Sequence, residues 1–276
     1  MPAGADPAAP KLARVLIVLK YGGNAMAATD GDDPLLDDVA AHVRAGDGVV
    51  LVHGGGPQID AALRERNIET RRADGLRITD AATLAVTEAV LCGTVNKAIV
   101  RGLMLRGVTA AGISGQDAST LIARVAAPVG GVSLGFVGEV EDVRPELLRA
   151  LLAAQIVPVV APLGVTADMA QVLNINADTA AGAIAGALRA DAFVVITNVT
   201  RVRRIADDPT TGVARLTAAE ALAYLADGTF DGGMRPKMES ALDALARGAR
   251  SALISGGGRD ALARALAGEG TFIEGD

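Results

Sequence analysis

Val18-Leu19-Lys20-Tyr21-Gly22-Gly23-Asn24 and Val52-His53-Gly54-Gly55-Gly56-Pro57 decide how the rest of this 276-residue chain is read. Each glycine turn follows a short aliphatic run, Val15 to Leu19 in the first case and Gly48 to Val52 in the second. Such runs suit strands buried on both faces. Two turns without side-chain bulk at the ends of neighbouring strands, one of them carrying a lysine, let a polyanion approach the main chain. The arrangement points to phosphate chemistry.

The same alternation continues along the chain. Further strands are expected at Val108 to Gly112, Ile156 to Ala161, Phe193 to Thr197 and Ser251 to Ile254. Helical patterns fall at Leu35 to Ala45, Pro57 to Arg66, Asp80 to Arg106 and Arg144 to Ala154, then at Thr179 to Arg189, Thr217 to Leu225 and Met234 to Gly248. Pro57 suits a first helical turn, and Asp80 can cap the next helix. The fold class read from this order is α/β, a mainly parallel sheet covered by helices. Arg124 to Val143, with its Pro, paired Gly and Val-rich runs, is expected to leave the pattern as a hairpin or a loose antiparallel excursion able to form a lid or rim for a site. Residues 1–13, rich in Ala and Pro, read as a flexible leader without a secretion signal.

Composition narrows the function classes. Aromatic residues make up 2% of the chain and Trp is absent, so stacking platforms for bases are scarce. With a formal charge of −6, the chain is not expected to bind nucleic acid. Cys92 is the only cysteine, which excludes an intrachain disulfide and any cluster of thiolate metal ligands. No metal-ligating set is assigned. Apolar stretches such as Thr179 to Ala192 are too short and interrupted to span a bilayer, so a soluble, cytoplasmic protein is expected.

The polar inventory suits a reaction that needs no strong base. His42 falls on a helix as a surface residue, and His53 is placed to orient the turn that follows it. Lys20 follows a buried strand, and Lys237 lies just after Gly232-Gly233, at a helix start where a cation is disfavoured unless an anion is bound. Asn174, Asn176 and Asp178 share one side if their segment is extended. Capping of the next helix by Asn176 or Asp178 is an equally good account of that segment alone. Arg77 can fork onto a substrate carboxylate or pair with a surface acid. Phosphoryl transfer to a carboxylate matches this set, because an acceptor with a pKa near ~4.3 is already ionised at neutral pH.

Six motifs in order resemble the acetylglutamate kinase family of the amino-acid kinase fold. They are Lys-Tyr-Gly-Gly-Asn-Ala-Met at 20–26, Val-His-Gly-Gly-Gly-Pro-Gln-Ile at 52–59, Asp-Gly-Leu-Arg-Ile-Thr-Asp at 74–80, Gly-Thr-Val-Asn-Lys at 93–97, Asn-Ile-Asn-Ala-Asp at 174–178 and Gly-Gly-Met-Arg-Pro-Lys at 232–237. The resemblance implies an open, mainly parallel sheet sandwiched by helices, with an N-terminal acyl-amino-acid lobe over 14–170 and a C-terminal nucleotide lobe over 171–276. It implies ATP-dependent phosphorylation of the side-chain carboxylate of N-acetyl-L-glutamate, with Mg²⁺, by a homodimer. Lys20 and Lys237 would stabilise the transferring group from opposite sides, with Asp178 orienting them. Gly55, Gly56, Arg77, Asn174 and Asn176 would hold the acceptor. The nucleotide would meet Gly22 and Gly23, the segment Asn198, Val199, Thr200, Arg201, Val202 and Arg203, and Thr229, Phe230 and Asp231.

One segment departs from the family. Thr197-Asn198-Val199-Thr200-Arg201 stands where Thr-Asp-Val with a following glycine is usual. An Asn at this turn also occurs in kinases acting on carrier-protein-linked aminoadipate or glutamate, which leaves that activity, or a nucleotide-binding regulator of the same fold, as alternatives. The short leader and the tail at Ser255 to Arg259 depart from arginine-inhibited members. Weak or absent arginine inhibition and a dimer rather than a hexamer are expected.

Overall fold

The computed structural model describes residues 14–22 and 33–275. The leader expected over 1–13 and Gly23 of the first turn lie outside the described residues. From the N-terminus, β1 (Leu16–Tyr21), α1 (Pro34–Ala45), β2 (Gly48–His53) and α2 (Gly56–Glu65) lead to a short hairpin of β3 (Arg72–Ala73) and β4 (Leu76–Arg77). Next come α3 (Ala81–Glu88), a π-helical turn at Ala89–Val95, α4 (Asn96–Leu105), β5 (Ala110–Ser114), β6 (Leu121–Val125) and β7 (Val137–Val143). The middle of the chain forms α5 (Glu146–Ala153), β8 (Val157–Ala161), β9 (Leu163–Val165), β10 (Val172–Ile175), α6 (Ala177–Leu188) and β11 (Ala192–Thr197). It closes with β12 (Arg215–Thr217), α7 (Ala218–Ala226), α8 (Arg235–Ala246), β13 (Ala252–Gly256), α9 (Ala261–Leu266) and β14 (Thr271–Glu274).

Eight strands make the main sheet, in the order β12-β14-β13-β11-β1-β2-β8-β5. All neighbours run parallel except β13 and β14. The continuous aliphatic run of β1 follows from burial on both faces: Val18 packs with Val50, Val52, Phe193 and the Ala-rich α6, while Ile17 and Leu19 pack with Leu51, Val194 and α1. From β1 the chain builds outward to β2, β8 and β5 on one side, and from β11 to β13 on the other. Sheets of this kind receive ligands beyond the carboxyl ends of the strands where the order reverses. Lys20 stands there, at the end of β1.

The expected excursion is a second sheet. β6 and β7 form the antiparallel pair, with a bulge at Ile122/Ala123, and β9 and β10 close it into a four-stranded ring. Those last two strands are too short to show alternation in the sequence. The helix expected from Asp80 to Arg106 is also corrected: the run Ala81–Leu105 carries a π turn at its centre, where Cys92, Gly93 and Thr94 are poor helix formers. By length and composition alone this run could cross a membrane, and it, rather than Thr179 to Ala192, is the longest apolar helical stretch among the described residues. Half of it is buried, against α1, β5 and β8. His42 is not a surface residue but half-buried, with Nδ1 2.8 Å from Asp47.

Candidate active site

Helix packing brings the reactive charges together. Gly182 and Gly186, one turn apart on α6, face α8 so closely that a Cβ would lie 2.5 Å from the Ser240 carbonyl oxygen and 2.2 Å from Arg247 Cβ, respectively. The two helix starts therefore meet. Asn176 caps α6, accepting from the N–H groups of Asp178 at 2.8 Å and Thr179 at 3.3 Å. Asp178 is thus helical rather than part of an extended run with Asn174 and Asn176, and the cap reading of Asn176 is the one the geometry adopts. In the first turn of α8, Lys237 donates to the Gly233 carbonyl at 3.0 Å and to Asp178 Oδ2 at 3.4 Å.

Lys20 completes the set from β1. Its Nζ is 3.0 Å from Asp178 Oδ1, and both side chains are buried. The contact is an ion pair without hydrogen-bond alignment, so this buried carboxylate oxygen keeps an unmatched lone pair. Gly22 is a glycine for a local reason, since a Cβ would press on the Lys20 ammonium at 3.1 Å and the Gly54 amide at 3.3 Å.

Beside this triad lies a cavity of about 260 Å³ lined by Lys20, the turn Gly54–Gly56, Arg77, Asn174, Asn176 and Asp178 among others. Five acceptor residues named from the sequence, Gly55, Gly56, Arg77, Asn174 and Asn176, all reach its wall. Arg77 is buried rather than pairing at the surface: Nη1 meets Asp60 Oδ1 at 2.6 Å and Nη2 donates to the Gly56 carbonyl at 3.3 Å. Partial burial pushes Asp60 up, but the Arg77 hydrogen bond with the Arg77 and Arg72 charges outweighs it and holds the carboxyl below its ordinary value. Asp60, which also takes Arg72 at 2.9 Å, does not line the cavity but holds two arginines that do, a role that sequence reading missed. Its position one turn into α2, after the glycines, was the available signal. Asn174 donates to Thr79 Oγ1 at 3.2 Å, and Thr79 donates to the Arg77 carbonyl at 2.8 Å, joining opposite walls.

The segment after β11 borders a second cavity, about 430 Å³, lined by Thr200, Arg201, Arg203, Pro209, Thr210, Gly212, Glu269 and Gly270. Thr200, Arg201 and Arg203 of the expected nucleotide set face it. Asn198 accepts from Thr197 Oγ1 at 3.2 Å at the strand end, and neither it nor Val199 lines this cavity. The side chains of Val202 and Phe230 are in the core, with Phe230 packed on Tyr224 at 5.1 Å, so only their main chain is open to a ligand. Thr229 and Asp231 belong to the α7–α8 connection and do not line this cavity. Among the described residues, no group of three or more His, Cys, Asp or Glu could hold a metal ion.

Residues 15–255 match the model of the amino acid kinase family. An acetylglutamate kinase of Symbiobacterium thermophilum is 44% identical over 84% of the chain and 80% of its own length. One from a Jannaschia species is 44% identical over 88% and 82%, respectively. Among solved structures, smu.665 of Streptococcus mutans superposes with a TM-score of 0.78 at 27% identity, covering 95% of this chain and 99% of that one.

Proposed function

Because the chain belongs to the amino acid kinase family, and within it to the acetylglutamate kinases, we propose that the charged triad and its cavity phosphorylate the side-chain carboxylate of N-acetyl-L-glutamate. The enzyme is a phosphotransferase with a carboxyl group as acceptor, a step that serves arginine biosynthesis, and we place it in the cytoplasm. The observation that carries the residue assignment is Asp178 held between Lys20 and Lys237 at the edge of a cavity of amino-acid size.

The acceptor carboxylate is ionised at neutral pH and attacks without a base, which leaves the protein to position it and to neutralise charge. Lys20 and Lys237 approach from different elements, so the transferring group lies between two ammoniums whose spacing Asp178 sets. Gly55 and Gly56 open α2 and have no protein acceptor for their N–H groups among the described residues, which suits an anionic oxygen. Arg77 and Asn174 hold the far end of the acceptor, and Arg77 must share its guanidinium between that anion and Asp60. ATP fits a set of two lysines, free amides and the Arg201/Arg203 cavity; its Mg²⁺, which neutralises phosphate charge when bound, would be carried by the phosphates, since among the described residues no carboxylate cluster awaits it. The lobe over 14–170 serves mainly the acceptor, with Asn174 and Asn176 added from the lobe over 171–276, which otherwise takes the nucleotide, in a homodimer.

Trapping the acyl phosphate as its hydroxamate, with ATP, Mg²⁺ and either acetylglutamate or acetylaminoadipate, tests the reading. Product with acetylglutamate is expected. Product only with the longer acceptor would favour the carrier-linked class that Asn198 suggests, and ATP binding without product would favour a regulator. Lys237→Ala should lower turnover far more than ATP affinity, and a hexamer by light scattering would refute the dimer.

A further inference from the structure

His53 ends β2 beneath the glycine turn and is fully buried, yet phosphoryl transfer to a carboxylate gives its ring no proton to move. Both ring nitrogens are engaged. Nδ1 lies 2.8 Å from the Gly54 carbonyl oxygen, and Nε2 lies 3.1 Å from Nδ2 of Asn96. A carbonyl oxygen only accepts and an amide nitrogen only donates, so the ring carries its single proton on Nδ1 and leaves Nε2 bare. Burial pushes its pKa down to about 4, so the ring stays neutral around pH 7.

Asn96 cannot turn its amide around. Nδ2 donates to the Val159 carbonyl at 2.8 Å and lies 3.3 Å from that of Ile113, while Oδ1 accepts from Lys97 Nζ at 3.1 Å. Lys97 is itself held on the Gly112 carbonyl at 3.0 Å. Gly112 is required there, since a Cβ would stand 1.8 Å from Asn96 Oδ1. The amide orientation is therefore fixed, with Oδ1 toward Lys97 and Nδ2 toward the ring, and the two N–H bonds of Nδ2 are shared among Val159, Ile113 and His53.

That assignment reaches the cavity through a single peptide plane. The 54–55 bond is trans, so its carbonyl and its N–H point in opposite directions. With the Gly54 oxygen held against the imidazole, the Gly55 N–H points away from His53. The π turn closes another side, because a Cβ on Gly55 would meet Leu91 Cδ2 at 2.6 Å and Val95 Cγ2 at 3.4 Å. The same turn ends at Asn96, whose own N–H bonds the Leu91 carbonyl five residues back.

We propose that Asn96 is a positioning residue which, by fixing the His53 tautomer, holds the Gly54–Gly55 peptide with its N–H aimed at the anionic oxygen of the bound acceptor. The kinetic part of this inference rests on the kinase reading; the tautomer does not. The chain has two histidines, so two-bond ¹⁵N–¹H NMR of the free protein resolves the ring directly. A proton on Nδ1 of His53 is expected, and a proton on Nε2 overturns the proposal.

Kinetics supply the second arm. His53→Asn keeps a donor at the Nδ1 position, whereas His53→Gln places its amide at the Nε2 position and loses that donor. An N–H bond to a charged oxygen is worth about 10- to 100-fold. His53→Gln and Asn96→Asp should lose that much in kcat/KM for the acceptor while KM for ATP stays within about twofold, and His53→Asn should recover most of it. Equal losses in His53→Asn and His53→Gln, or an unchanged acceptor constant in both His53→Gln and Asn96→Asp, would overturn the relay. If the wild-type protein turns over no acceptor, the kinase reading fails and the tautomer alone decides.

Discussion

Replacing Asp178 by Asn removes one charge from between two. Its oxygens stand 3.0 Å from Lys20 and 3.4 Å from Lys237, and each attraction is worth about 5 kcal/mol at an effective dielectric near 20. Dehydrating the three groups offsets much of this gain. Breaking a buried pair by removing one partner still costs about 3–5 kcal/mol, because Lys20 remains buried without a counter-charge. Urea unfolding at pH 7 should show a loss of that size. Without the carboxylate charge the two ammoniums make a better anion site than before, so inorganic phosphate should restore more stability to the variant than to the wild type. Turnover should fall on the order of 10²-fold as the lysines lose their common reference. A stability loss under about 1 kcal/mol, or equal effects of phosphate on both proteins, would refute the reasoning.

Protonation of His53 gives a second test. Its folded pKa of about 4 lies below the ordinary 6.5, so its contribution is complete above pH 6.5 and is lost as pH falls towards 4. Wild type should lose about 2 kcal/mol between pH 7 and pH 5 that His53→Asn does not lose; parallel curves would refute this. Gly182→Val should force α6 from α8 against the Ser240 carbonyl, cost about 1–3 kcal/mol and depress kcat through the Asp178–Lys237 spacing, whereas a variant of wild-type stability and rate would contradict that packing. Burial, with Glu88 and Asp117 nearby, pushes the Cys92 thiol up to about 11. Labelling by a thiol-disulfide reagent should therefore stay slow to about pH 9 in the folded protein and become fast in urea; rapid labelling at pH 7 without urea would be the contrary result.

The main sheet was legible because its strands are buried on both faces, which demands aliphatic runs such as Leu16 to Leu19 and Gly48 to Val52. The closed sheet was half legible. β6 and β7 showed as a hairpin, but β9 and β10 have three and four residues and no period to read. Charge placement was legible at Lys20 and Lys237, where a lysine contradicts its surroundings. Asp60 was not, because an acid on a helix after a proline turn looks like any solvated residue. The burial of Val202 and Phe230 was not legible for another reason: a loop position carries no information about which way its side chain turns, and both turn inward.

Pro162 joins β8 of the main sheet to β9 of the closed one, lines the cavity proposed for the acceptor, and accepts the Ile175 N–H at 3.0 Å. Its φ is fixed by the ring, and it has no N–H to lose from either ladder. The wall bearing Val137 and Asn174 is therefore a fixed jaw, continuous with the floor beneath Lys20. Room for an acceptor longer by one methylene has to come from the β3–β4 hairpin, which packs Ala73 and Leu76 on Val137 and is clipped to α2 through Asp60. Discrimination of chain length thus falls to the stiffness of that clip, and alterations at Arg72 or Asp60 should relax it before any change to the charged triad does.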